Sequence, residues 1–235
     1  MNKKNKKFNT KAIHVGQEPE KLYGAVSLPI YLTSTFKQKE FGEYEYDYSR
    51  AGNPTRTNLE DNIAALEEGK EGIAFSSGMA AISAVIHLLS AGDEIIFTRN
   101  VYGGTYRVME KIYKNFDIKP RWVDTTDIDA IKKAINKNTK MIYIETPTNP
   151  MIEISDIKAI SKICKKSKCI LVADNTFMSP YNQRPLTLGA DIVMHSITKY
   201  LNGHSDVIGG ILVSKKSDLI DKLRFIQMSV GAVPS

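Results

Sequence analysis

The sequence predicts an α/β protein built on a mostly parallel, seven-stranded sheet covered by helices, with an extended N-terminal arm. Three observations carry that expectation. Short apolar runs rich in Ile and Val recur along the chain, segments of helical period fill the gaps between them, and both features begin only at residue 56. Strands separated by helices require crossover connections, which favour parallel pairing and bury the sheet on both faces.

In chain order, the strand candidates are GIAF (72–75), EIIFT (94–98), KPRWV (119–123), MIYIE (141–145), ILVAD (170–174), DIVMHS (191–196) and GGILVS (209–214). Amphipathic helices are expected at 56–68, 78–90, 104–115, 127–136, 155–167 and 216–228. Asp127 and Ser155 suit helix N-caps, and Gly69 and Gly92 stand where helices should stop. Residues 1–55 are rich in Tyr, Gly and Pro and lack the alternation, so they read as an arm that needs another surface to lie on. Its opening, MNKKNKKFNT, is polar and lysine-rich and reads as mobile. Residues 56–235 form the α/β domain, with no internal repeat or low-complexity block.

Composition narrows the classes. With 235 residues, 42% of them hydrophobic, the chain can bury one large core. The net charge of +6 comes from lysines scattered over helix faces such as IKKAINKNTK and ISKICKKSK, without interleaved aromatics. No nucleic-acid partner is expected from that pattern. No apolar run reaches the length of a membrane span, and no signal-peptide core is present, so no membrane partner is expected either. Two cysteines, Cys164 and Cys169, are too few for a disulfide framework; they read as packing residues, and a reducing, cytoplasmic location follows. Four histidines and these two cysteines show no metal-ligand spacing.

Ligands of an open α/β sheet bind beyond the carboxyl ends of its strands. Here MIYIE runs into TPTNP with Asn149, ILVAD ends at Asp174, IVMHS leads to Lys199, and GIAF ends in SSGMAA. The small residues Ser76, Ser77, Gly78 and Met79 open a helix and offer backbone amides to an anion, with hydroxyls from Ser196 and Thr198 nearby. Neither GxxxxGK[ST] nor GxGxxG occurs, which removes the main support for a nucleotide. A phosphate cup beside a lysine and a buried aspartate suggests pyridoxal phosphate instead. Lys199 would bond its aldehyde as a Schiff base, and Asp174 would pair with the protonated ring nitrogen. Tyr102, in VYGGTYR, would offer the ring a face to stack on. Glu145, His195 and His204 fall near these strand ends and are expected to orient loops or sit satisfied in the core, without chemistry of their own.

With those residues in place, the chain resembles the Cys/Met-metabolism family of pyridoxal-phosphate enzymes. The matching stretches include AIHVGQEPE, GAVSLPIYLTSTF, YDYSRAGNPTRTNLE, AFSSGMAA, VYGGTYR, YIETPTNP, VADNTF, PLTLGADIVMHSITKYLNGHSDVIGG and GAVPS, in family order over nearly the whole chain. The resemblance implies the large domain of pyridoxal-phosphate fold type I, the aspartate-aminotransferase-like architecture. It implies Lys199 as the covalent anchor, Asp174 at the ring nitrogen, Tyr102 on the ring, Asn149 at the 3′-oxygen, and Ser77, Gly78, Met79, Ser196 and Thr198 around the phosphate. Tyr48 and Arg50 would reach the phosphate in a neighbouring subunit, which makes the protein a homo-oligomer, in the family a dimer of dimers.

The implied activity is carbon–sulfur lysis of cystathionine, homocysteine or cysteine, giving thiol, 2-oxo acid and ammonia. Tyr102 would protonate the departing sulfur. γ-Replacement on an O-acylhomoserine, the cystathionine γ-synthase reaction, is the alternative. Arg107 matches an arginine of cystathionine-using members, where it suits a distal carboxylate, and Gly104 stands where methionine γ-lyases carry a cysteine. Family members continue into a small C-terminal domain that these residues do not include. A cofactor-binding or oligomerising fragment without catalysis is therefore a second expectation.

Overall fold

The computed structural model describes residues 7–235; the lysine-rich opening at 1–6 lies outside them. Seven strands form one sheet: β1 (Glu71–Phe75), β2 (Glu94–Thr98), β3 (Lys119–Val123), β4 (Thr139–Glu145), β5 (Ile170–Asp174), β6 (Ile192–Ser196) and β7 (Gly210–Ser214). Their order across the sheet is β1-β7-β6-β5-β4-β2-β3, and every expected strand is present within about two residues. Only β7 runs antiparallel to its neighbours, because residues 197–209 join it directly to β6 without a crossover helix. The free edge of β3 carries Pro120, where a missing N–H breaks no ladder.

Helices α2 (Pro54–Leu66), α3 (Gly78–Ile86), α4 (Gly103–Lys111), α5 (Ile128–Ala134), α6 (Ile157–Ser167) and α9 (Ser217–Val230) correspond to the six expected from the sequence. The sequence pattern misses α1 (Phe8–His14) and the single turns α7 (Ser179–Asn182) and α8 (Pro185–Leu188). α1 buries no residue; it is held by the Asn62 amide of α2, which donates to the carbonyls of Lys11, Ala12 and Val15 at 3.3, 3.1 and 2.8 Å. No hydrophobic period could reveal a helix made by a side chain of another.

Several boundaries move for local reasons. Asp127 caps α5 as expected, its Oδ1 accepting from the amides of Asp129 and Ala130. Ser155, expected to cap α6, does not: Asp156 accepts from the Ala159 amide, while Ser155 is buried with its hydroxyl 2.7 Å from that of Thr125. After α2 the left-handed residue is Glu68 (φ 59°), not Gly69. Gly69 is small for packing, since a Cβ there would lie 2.3 Å from Val213 Cγ1. α3 ends at Ile86 and α4 at Lys111, short of the expected 90 and 115; tighter turns follow, a 3₁₀ turn at Tyr113–Phe116 among them.

The period-two alternation of the strands splits the core across the sheet. Ile73, Phe75, Ile95, Phe97, Met141, Tyr143, Val172 and Leu212 pack under α3, α4 and α9. On the other face Ile96, Ile142, Ile144, Leu171 and Ala173 meet α5 and α6, and Val193, Ile211 and Val213 meet α2 and α8. Each fully buried Ile or Leu contributes about 1.5–3 kcal/mol. Cys164 and Cys169 are free thiols inside this second layer, as packing residues should be.

The outer edge of β1 is closed by a charge cluster rather than by another strand. Glu60 of α2, 3% exposed, accepts from the Ala74 amide at 2.8 Å and pairs with Arg224 of α9 at 2.8 Å, with Arg56 at 3.6 Å. Glu60→Ala is expected to cost about 3–5 kcal/mol, because it removes the counter-charge of buried Arg56 and half-buried Arg224 and leaves a strand amide without its acceptor. Urea unfolding should show this as a lowered midpoint at an unchanged slope.

Candidate active site

A cavity of about 270 Å³ opens at the carboxyl ends of β1, β2, β4, β5 and β6. Nine residues singled out from the sequence line it: Ser77, Gly78 and Met79 from the start of α3, Tyr102 after β2, Asn149 after β4, Asp174 closing β5, Ser196 closing β6, then Thr198 and Lys199. Three others stay outside. Tyr48 and Arg50 are exposed, the guanidinium lying over the Tyr48 ring and donating to the Met228 carbonyl at 2.7 Å; Arg107 is exposed on α4.

Glycine lets these elements meet. The Ser77 hydroxyl accepts from the Ala80 amide at 3.0 Å and caps α3, which leaves the amides of Gly78 and Met79 without helical acceptors. A Cβ on Gly78 would reach the Ser196 side chain at 3.0 Å, and one on Gly210 would sit 2.2 Å from the Ser77 carbonyl. Either side chain would push the helix start away from the end of β6.

Asp174 is 6% exposed. One carboxylate oxygen accepts from the Thr176 amide at 3.1 Å and hydroxyl at 2.6 Å; the other accepts from the Tyr143 hydroxyl at 3.0 Å. Burial pushes its pKa above the usual value, against the pull of these bonds and of His195. Tyr143 and Thr176 were not foreseen. Tyr143 shares a face with Glu145 two residues on, but only the β4–β5 register brings it to Asp174.

Glu145 also faces the cavity and holds two loops, accepting from the amides of Tyr102 at 2.7 Å and Asn149 at 2.9 Å. Burial, then the charge of Asp174, push its pKa up to about 8. His195 points through the opposite face, where its Nε2 meets Glu67 Oε1 at 2.6 Å with both side chains fully buried. His204 is exposed in the loop after β6. Among the described residues no group of three or more His, Cys, Asp or Glu is arranged to hold a metal ion, and no helix is long and apolar enough to cross a membrane.

Gly104 bears on the cavity wall. A Cβ there would lie 2.3 Å from the Tyr102 ring and 2.8 Å from Met79 Sδ. Gly104→Ala should displace that ring and lower affinity for a ligand stacked on it by about tenfold to a hundredfold, the scale of an overpacked contact. Fluorescence titration with the ligand measures the change.

An amine, a buried carboxylate and unpartnered helix amides at the strand ends of a parallel sheet define a cofactor-dependent enzyme fold. The chain belongs to the Cys/Met metabolism PLP-dependent enzymes, whose family model matches residues 9–235, and the cofactor of that family is pyridoxal phosphate. It is 52% identical over 228 residues to cystathionine gamma-lyase of Bacillus subtilis, covering 97% of this chain and 60% of that protein. A probable cystathionine gamma-synthase of Herpetosiphon aurantiacus is 47% identical, with 97% and 72% covered. The crystal structure of cystathionine gamma-lyase from Lactobacillus plantarum complexed with L-serine superposes with a TM-score of 0.96 at 49% identity, covering 98% of this chain and 60% of that one. The chain spans about 60% of the length of the first of these relatives.

Proposed function

We propose that this chain forms the cofactor-binding body of a pyridoxal-phosphate-dependent carbon–sulfur lyase acting on cystathionine or a smaller sulfur amino acid, releasing thiol, 2-oxo acid and ammonia. The convergence of nine sequence-predicted residues on one cavity carries the reading. The donor set suits the cofactor. Asp174 is a buried carboxylate that accepts three hydrogen bonds and no ion pair, a place that a protonated ring nitrogen completes. The amides of Gly78 and Met79 at the positive end of α3, with the hydroxyls of Ser77, Ser196 and Thr198 beside them, suit a phosphate dianion.

When bound, the cofactor supplies a carbonyl that bonds the substrate amine and an electron sink for charge developing at Cα. Lys199 Nζ would hold the cofactor covalently, and its amine would serve as the base that takes the Cα proton and relays protons onward. Tyr102 would offer its ring face to the cofactor and its hydroxyl proton to the departing sulfur. Asn149 would face the ring's 3′-oxygen, and Met79, Ile82, Met194 and Phe177 would exclude water. Arg107 pairs with the distal carboxylate of the substrate.

Residues 1–55 serve as an arm for subunit contact and residues 56–235 as the cofactor domain. The arm exposes Leu22, Tyr23, Val26, Leu32 and Phe41, which favours a homo-oligomer in which Tyr48 and Arg50 reach the neighbour's phosphate. The two free buried thiols support a reducing, cytoplasmic location. A synthase reading, γ-replacement on an O-acylhomoserine, is favoured by the Herpetosiphon aurantiacus relative.

Purified protein mixed with pyridoxal phosphate should turn yellow, and cystathionine should then yield 2-oxo acid. Product formation only from an O-acylhomoserine plus cysteine would select the synthase. A colourless protein that forms neither product would reject both.

A further inference from the structure

Glu145 is the one carboxylate of the cavity that this mechanism leaves idle. It closes β4 with 6% exposure, yet its two oxygens reach in different directions. Oε2 accepts from the Tyr102 amide in the loop after β2; Oε1 accepts from the Asn149 amide in the loop after β4. Its own amide donates to Thr98 Oγ1 at 3.2 Å, and that hydroxyl continues to Thr125 at 2.9 Å and on to Ser155. The bridge is thus anchored to β2 and to the segments that precede α5 and α6. We infer that Glu145 is a positioning residue, a single carboxylate spanning two loops and setting how far apart the Tyr102 ring and the Asn149 side chain stand across the cavity. The inference rests on the proposed function in that these two residues flank the cofactor.

The groups facing Glu145 are Asp174 from β5 and Tyr143 from β4, with Tyr102 and Lys199 lining the same space. Two amide donors favour its ionised form, while burial and Asp174 oppose it, so the bridge titrates near pH 8. Below that pH one oxygen carries a proton and holds its amide less firmly; above it both oxygens accept at full strength.

The test uses the full chain, with and without pyridoxal phosphate, as wild type, Glu145→Gln and Glu145→Asp. In the cofactor-free protein, the amide resonances of Tyr102 and Asn149 should shift together as pH passes Glu145's pKa. In Glu145→Gln the shared titration should vanish, and one of the two amides, now facing an N–H donor, should exchange faster with solvent. Affinity for pyridoxal phosphate should fall about tenfold to a hundredfold in both variants, since neither glutamine nor the shorter aspartate can accept from both loops. Above pH 8, unfolding midpoints for Glu145→Gln should hold or rise relative to wild type, because the buried charge present there is removed. Amides that titrate identically in wild type and Glu145→Gln, or affinity that falls only in step with the unfolding midpoint, would overturn the positioning role. A wild-type chain that takes up no cofactor would overturn the proposed function instead, and the amide titration would still decide the bridge.

Discussion

Lys199→Ala is expected to fold normally and to lose both covalent uptake of pyridoxal phosphate and turnover. The Lys199 side chain is exposed at the cavity mouth, and the backbone bonds around it, Lys199 amide to Ser196 carbonyl and Gly203 amide to Lys199 carbonyl, do not need it. A surface truncation of this kind shifts stability by about 0.5 kcal/mol or less. The chemical loss is far larger: proton transfer by a positioned base alone is worth about 10²–10⁴-fold in rate, and the covalent step is removed as well. Borohydride reduction followed by peptide mass analysis should find the cofactor on the Lys199 peptide of the wild type and on no peptide of the variant. Cofactor trapped in Lys199→Ala at the wild-type level would refute the assignment.

Asp174→Asn should separate binding from folding. The asparagine carbonyl can still accept from Thr176, and the Tyr143 hydroxyl can turn to accept from the new amide, so the local network survives. The cofactor-free fold should be as stable as wild type or more so at neutral pH. Asp174 has a raised pKa, so ionising it costs the folded state more than the unfolded chain; stability is lost as pH rises from its ordinary value through its raised one. Removing the ionisable group removes that loss. Affinity for pyridoxal phosphate should fall about tenfold to a hundredfold, the scale of one hydrogen bond to a charged group worth about 1.5–3 kcal/mol. Calorimetric unfolding together with cofactor titration measures both. A variant that loses stability and affinity in parallel would mean that Asp174 is a structural residue.

Much of this molecule was legible before any coordinates. Strands such as EIIFT and ILVAD stand where the apolar runs placed them, because a strand buried on both faces must be continuously apolar. Lys199, Asp174 and Asn149 could be grouped because strand ends of a parallel sheet share one edge, whatever the order of the strands. Ser155 and Gly69 were misread for the same reason as each other. Their types suit a cap and a turn, yet Ser155 is occupied by Thr125 and Gly69 is demanded by Val213, both distant in sequence. Glu145 could be placed near the strand ends, but its partners could not be named, since they are backbone amides and amides leave no mark in a sequence.

By itself the sequence determined the α/β class, the position of the strand-end site and the residue types gathered there, since periodicity and turn chemistry are local properties of the chain. Only the tertiary structure decided the strand order with its single reversed member, the Tyr143 contact to Asp174 and the Glu145 bridge. Those depend on register and on approaches between segments far apart along the chain, and a one-residue change in pairing would have put different side chains in the cavity.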